Sequence, residues 1–185
     1  MIQLERQVDI LARLIERSRA YFDLYKFIEG SDYRPQIIDQ MNDYFWFFRF
    51  QGHILRYVLI VELGALFEKT NKSVCFQSVL ERVKSRIHHV KHAELTQVLE
   101  GTHVVSSKVS TLRNKAFAHR DSRLDFDDAF KEAGITLNEI ESLIEASKAL
   151  ADKLCDEFEV RPPAFTTVET IGDCKRLFRQ LGSEV

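Results

Sequence analysis

The stretch Arg113-Asn114-Lys115-Ala116-Phe117-Ala118-His119 holds the residue types best suited to chemistry in this chain. An arginine brings a permanent positive charge and a donor fork that matches phosphate oxygens. A histidine exchanges a proton near neutral pH. Together they meet two needs of metal-free RNA cleavage. One is a proton carrier for the 2′-hydroxyl or the leaving 5′-oxygen. The other is a stabiliser for the extra negative charge on phosphorus. Asn114 adds a neutral hydrogen-bonding group beside them.

Spacing tempers that reading. Positions 113 and 119 on a straight α-helix stand about 120° apart with about 9 Å of rise, so their side chains flank a groove without touching. They converge if the helix ends near Ala118 and His119 turns inward, or if two copies face each other across a two-fold axis. The bland reading is a solvated pair in which His119 is a cation near a helix C-terminus.

The elements that must carry this stretch are helices. Leu4, Val8, Leu11, Leu14/Ile15, Phe22 and Tyr25 recur at helical spacing and predict a helix over 2–29 that Gly30 ends. A second is predicted from Pro35 to about Lys69. Its middle, Tyr44-Phe45-Trp46-Phe47-Phe48-Arg49-Phe50, is apolar almost all round. That predicts either the centre of the core or a helix with core on one side and a subunit interface on the other. Gly52 and Gly64 in this helix permit close helix approach or a bend. The third helix is read over 74–89 and the fourth over 93–118, with Leu95, Val98/Leu99, Val105, Val109 and Leu112 inward. A loop with a helical turn at 125–131 follows. Thr136 and Glu139 stand in a capping relation that opens a fifth helix to about Phe158. Arg161-Pro162-Pro163 breaks it, and Thr166 with Glu169 opens a short last helix to Leu181. The expected fold is all-α, a bundle of five main helices plus a short C-terminal helix. Its expected division is a bundle over 1–160 and a C-terminal extension over 161–185.

Composition agrees with a globular helical protein. The chain has 185 residues, 45% hydrophobic and 29% charged, with only 7 Gly and 3 Pro, too few breakers for many short strands. Its net charge of −2 neither points to nor excludes a nucleic-acid partner, since a local basic patch suffices. Cys75, Cys155 and Cys174 are odd in number, far apart and form no CxxC, which reads as reduced thiols in a cytoplasmic protein. The N-terminus leads straight into amphipathic helix without a signal peptide pattern. The most apolar run, 57–67, is too short for a bilayer and contains Glu62.

Other constellations are weaker. His88 and His92 share a face as metal-binding pairs do, but position 89 is His where a zinc-protease helix needs Glu, and no third ligand is fixed. Arg82, Lys84, Arg86 and Lys91 make this stretch locally basic, either a solvated face or a track for an RNA backbone. His53 and His103 are isolated. Glu62 sits in an apolar helix and needs a partner, either an arginine such as Arg56 or Arg113, or a role in orienting the Arg113 site.

The string Leu112-Arg113-Asn114-Lys115-Ala116-Phe117-Ala118-His119-Arg120-Asp121 resembles the signature of the HEPN superfamily: an arginine, a polar residue and, four to six residues on, a histidine. The fuller form, Arg-Asn-Lys then Ala-His-x-Asp, looks most like the abortive-infection AbiU-type branch. The resemblance covers roughly residues 2–160 and places the motif late in a long helix of a helical bundle. It implies a metal-independent endoribonuclease, often a toxin or antiphage effector, with a site assembled from two subunits. On that resemblance Arg113 stabilises the transition state, His119 handles protons and Asn114 positions the phosphate or the histidine. Lys115, Asp121 and Glu62 take supporting roles. The expected partners are an RNA substrate, a second copy of the chain and an antitoxin or defence partner, with no cofactor, no metal and no membrane. The alternative is a non-catalytic HEPN-like helical module that binds a protein partner or a nucleotide, and a third reading is a plain dimerisation module.

Overall fold

The computed structural model describes residues 3–68, 73–118, 126–161 and 167–185. These fall into nine α-helices and one π-helical segment, with no strand among the described residues. The elements are α1 (Leu4–Glu29), α2 (Arg34–Asp43), α3 (Phe45–Leu66), α4 (Phe76–Val83), α5 (His89–Gly101) and α6 (His103–Leu112), the π segment Arg113–Ala118, then α7 (Phe126–Ala133), α8 (Leu137–Glu157) and α9 (Thr167–Gln180). The chain is therefore all-α, as its periodicity predicts, but cut into shorter pieces.

Each extra break or shifted boundary has a local cause. Tyr44 leaves the helical region (φ −118°, ψ 39°) and separates α2 from α3. His88 is extended and its Nδ1 accepts from the Val90 N–H at 3.4 Å. It thus caps α5, which begins four residues before the expected start, while α4 stops at Val83, six residues before the expected end of the third helix. Thr102 interrupts the expected fourth helix, its hydroxyl donating to the Leu99 carbonyl at 2.6 Å. After Leu112 the helix widens into π geometry, with i→i+5 bonding. The segment 126–133, expected as loop with one turn, is a two-turn helix closed by Gly134 at φ +58°. That left-handed conformation suits glycine. The Thr136–Glu139 capping box forms as expected: the Glu139 N–H donates to Thr136 Oγ1 at 3.2 Å, and the Thr136 N–H donates to Glu139 Oε2 at 2.9 Å. Thr166 lies outside the described residues.

The chain divides into two compact units. The first comprises residues 1–16 and 60–163. Leu4, Val8, Leu11 and Ile15 of α1 are buried in it, at the spacing of one helix face. So are Leu63 and Leu66 of α3, Phe76 and Val79 of α4, Leu95 of α5, Val109 and Leu112 of α6, and Ile140, Leu143 and Ile144 of α8. Helix α8 packs on α5 and α6, and α7 packs on α6 and the π segment. Lys148 of α8 reaches Glu16 of α1 at 2.8 Å, and the carboxylate holds the ammonium pKa above its ordinary value.

The second unit comprises residues 17–59 and 164–185. Its core gathers Phe27, Ile37, Met41, Phe48, Leu55 and Phe178. Phe178 stacks on Phe48 with ring centres 5.2 Å apart and tilts against Phe27 at 5.8 Å, so the C-terminal helix is part of this core. The aromatic run is not the centre of a core. Phe48 is buried, yet Trp46 is 77% exposed and Phe50 63% exposed, with Tyr44, Phe45 and Phe47 also outward. Helix α3 carries all of these residues but Tyr44, and in this unit the face that Phe48 shares with Leu55 meets the core.

Candidate functional site around Arg113

Arg113 closes α6 and opens the π segment. Short π segments occur often at functional sites because they re-aim side chains. The angle of about 120° reckoned above assumes α-helical winding throughout, so it does not carry across this segment. The Arg113 side chain is mostly buried, at 21% exposure. Its Nη1 donates to Glu68 Oε1 at 2.6 Å. A charge-assisted bond of that length fixes the guanidinium more firmly than a neutral one would.

Two features of α3 build this seat. The helix tightens as it ends, with the Phe67 N–H bonding the Gly64 carbonyl at 3.3 Å and the Glu68 N–H bonding Ala65 at 3.4 Å. Gly64 leaves the space that Arg113 occupies. A Cβ at position 64 would lie 2.7 Å from Arg113 Cδ and 3.3 Å from its Nε. The space beside Gly64 is thus taken by the side chain of the motif arginine and not by the backbone of a neighbouring helix. Gly52 behaves alike in the second unit, where the Glu29 carboxylate fills the space beside it.

Arg113 and Glu68 also line a cleft of about 880 Å³ among α4, α5 and α6. Phe67, Phe76, Leu80 and Leu99 give it an apolar floor. His103, Ser106, Ser110 and Arg113 recur along one face of α6 and form one wall. A concave, largely apolar site with a few convergent polar groups is the usual form of a ligand pocket.

The other predicted residues divide clearly. Asn114 is exposed beside Arg113. Lys115 forms an ion pair with Glu132, which ties the π segment to α7. His119 and Asp121 lie outside the described residues. Glu62 is half-buried in α3, and the carboxylate bonded to Arg113 is Glu68, six residues further on. Glu68 and the α4–α6 cleft escaped the sequence reading. The available signals were the Gly64-x-x-x-Glu68 spacing and the polar repeat at 103, 106, 110 and 113.

The remaining constellations take structural places. His92 Nε2 donates to the Leu80 carbonyl at 3.1 Å, and His88 caps α5. No group of three or more His, Cys, Asp or Glu suited to a metal occurs among the described residues. In the basic stretch, Arg86 pairs with Glu5 at 3.0 Å and lies over Phe158, and Lys91 pairs with Glu157. The three cysteines form no disulfide with one another. Burial pushes the Cys155 thiol up to about 11 and raises that of Cys174, which opposes thiolate chemistry at neutral pH. No helix among the described residues is long and apolar enough to cross a membrane.

Arg113 thus follows the ten-residue α6 and lines a cleft in an all-helical unit. A model of the abortive-infection AbiU2 HEPN family matches residues 1–177, and the chain belongs to that family. No curated protein and no solved structure matches it.

Proposed function

We propose that this chain is a metal-independent endoribonuclease of the HEPN type, acting in antiphage defence or as a toxin. The observation that carries the reading is the seat of Arg113: a guanidinium held at the wall of a cleft, on a π segment, in a chain of the AbiU2 HEPN family. The bond to Glu68 uses one of five guanidinium donors, and the fork is suited to non-bridging phosphate oxygens. In the reaction, the ribose 2′-oxygen forms a bond to phosphorus while the bond from phosphorus to the 5′-oxygen breaks. His119 accepts the 2′-hydroxyl proton, and an imidazolium returns a proton to the leaving 5′-oxygen. Arg113 stabilises the charge that accumulates on phosphorus. Asn114 orients the phosphate or the imidazole, with Lys115, Asp121 and Glu62 in support. The products are a 2′,3′-cyclic phosphate and a 5′-hydroxyl end.

The working form on this reading is a homodimer in which both copies supply motif residues. The exposed aromatic face of α3 supports it. Trp46, Phe50 and Tyr57 are exposed and recur at helical spacing along one stripe, with exposed Phe45 and Phe47 flanking it. Aromatic residues are enriched at subunit interfaces, and exposed apolar patches mark interaction sites.

The second reading is a non-catalytic module that binds a protein partner or a nucleotide, and it draws on the Arg113–Glu68 pair, in which the motif charge already has a counter-ion. Incubation of a labelled RNA pool with purified protein in EDTA separates the two. Cleavage that Arg113→Ala and His119→Ala both abolish is the expected result. An inert wild type moves the assignment to the binding module.

A further inference from the structure

We infer that the cleft beside Arg113 is a base-binding subsite, taking one unpaired nucleobase of an RNA strand whose adjoining phosphate lies at the guanidinium. The inference rests on the ribonuclease reading and adds to it the feature of the strand that this site selects.

Size, floor and charge support it together. A cleft of about 880 Å³ lies within the range of preformed small-ligand sites, roughly 300–1,000 Å³, and has room for a base with its ribose. One aromatic ring is open to it: half-buried Phe67 lines the cleft and packs on the fully buried Phe76, with ring centres 5.4 Å apart. Sequence-specific RNA recognition favours splayed single-stranded bases stacked on such rings. The wall of α6 supplies hydroxyls at Ser107 and Ser110 on the side that ends at Arg113, which suits ribose and base-edge hydrogen bonds.

Charge then decides which part of the nucleotide enters. Glu68 neutralises Arg113 within the pair. Glu81 and Glu100 also line the cleft, against Lys84. The interior is therefore not a track for consecutive phosphates, which need a basic groove. A base is uncharged, and its exocyclic amino groups donate to carboxylates and amide oxygens of the kind that Glu81 and Gln77 offer. The phosphate stays at the Arg113 end, and the base lies inward.

The test narrows the cleft from opposite walls. Ser107 of α6 and Gln77 of α4 are both exposed on its lining, so Ser107→Trp and Gln77→Trp fill it without opening the core. Two readouts are taken. The first is single-turnover cleavage of an RNA library randomised around the scissile bond, sequenced for base preference. The second is anisotropy with a non-cleavable 2′-O-methyl strand and a set carrying one abasic position each. Wild type is expected to bind the intact strand about tenfold more tightly than the strand abasic at one particular position. Both tryptophan variants should lose that difference and flatten the base preference. Equal binding of every abasic strand, or a preference that survives both variants, overturns the inference. The binding readout needs no turnover, so the two claims fail separately. Base-dependent binding without cleavage sinks the ribonuclease reading alone, whereas cleavage without base dependence sinks the subsite alone. Neither binding nor cleavage sinks both.

Discussion

Arg113 Nη1 donates to Glu68 Oε1 at 2.6 Å, joining residues 45 positions apart in the sequence. The pair is partly exposed, at 21% and 33%, so its contribution to stability is about 1 kcal/mol or less. Its effect on geometry is larger, because an arginine that acts on a transition state must be held in place before the reaction. Glu68→Ala is expected to lower single-turnover cleavage by roughly tenfold or more, while shifting the urea midpoint little. Glu68→Gln keeps an acceptor at the same position and should recover a large part of the rate. Equal rates for the alanine and glutamine variants, both at the wild-type level, would remove Glu68 from any role in positioning Arg113.

Gly64 offers an independent way to move the same guanidinium. An alanine Cβ there would lie 2.7 Å from Arg113 Cδ, so the arginine must leave its seat. The backbone gains helix propensity of about 1 kcal/mol, which offsets the lost contact. Gly64→Ala is therefore expected to melt within a few degrees of wild type and to cleave as poorly as Glu68→Ala. A substantial loss of stability with cleavage retained per folded molecule would show that Gly64 serves packing and not the site.

What could be read from the sequence was local. The Thr136–Glu139 capping box involves two residues three apart, and it forms with both reciprocal bonds. The inner positions Leu95, Val109 and Leu112 follow from periodicity, and all three are buried. The break at Tyr44 was hidden because apolar periodicity continues across it, the break at Thr102 had only Gly101 to mark it, and the break expected between 89 and 93 falls earlier, between Val83 and His89. Glu68 was hidden for another reason. It is one of 28 acidic residues, and a partner 45 positions away is fixed only once α3 and α6 have packed. The aromatic run shows the limit of composition: it is apolar all round, yet only Phe48 among residues 44–50 is buried.

The start of α8 should respond to pH with a defined sign. A side-chain bond from Lys108 holds the Glu139 carboxyl below its ordinary value, helped by the Thr136 backbone N–H. A carboxyl depressed on folding adds stability above its unfolded value near 4.5, and that contribution is lost as pH falls through the lower folded value. Glu139→Gln should therefore be less stable than wild type at pH 7. The gap should close in melts taken progressively below pH 4.5. Thr136→Ala, which removes the cap hydroxyl, is expected to cost about 1 kcal/mol, measured by urea unfolding at neutral pH. A gap between Glu139→Gln and wild type that widens on acidification would contradict the assignment of the depressed carboxyl to this cap.

The aromatic face of α3 yields the prediction that links assembly to activity. Trp46, Phe50, His53 and Tyr57 follow i, i+4, i+7, i+11 spacing and lie on one outward stripe, while Phe48 and Leu55 face the core. A charge on the stripe leaves the core intact, so Trp46→Glu and Phe50→Glu should fold as wild type does. In a dimer the same carboxylate would be buried without a partner, which costs several kcal/mol and shifts the equilibrium to monomer. Wild type is expected to sediment as a dimer at micromolar concentration, and each variant as a monomer. Because the proposed site draws motif residues from two copies, the monomeric variants should also lose cleavage, although Arg113 and His119 are untouched. Mixing Trp46→Glu with His119→Ala should not restore activity. Full cleavage by a proven monomer would leave the Arg113 chemistry in place but confine it to one chain.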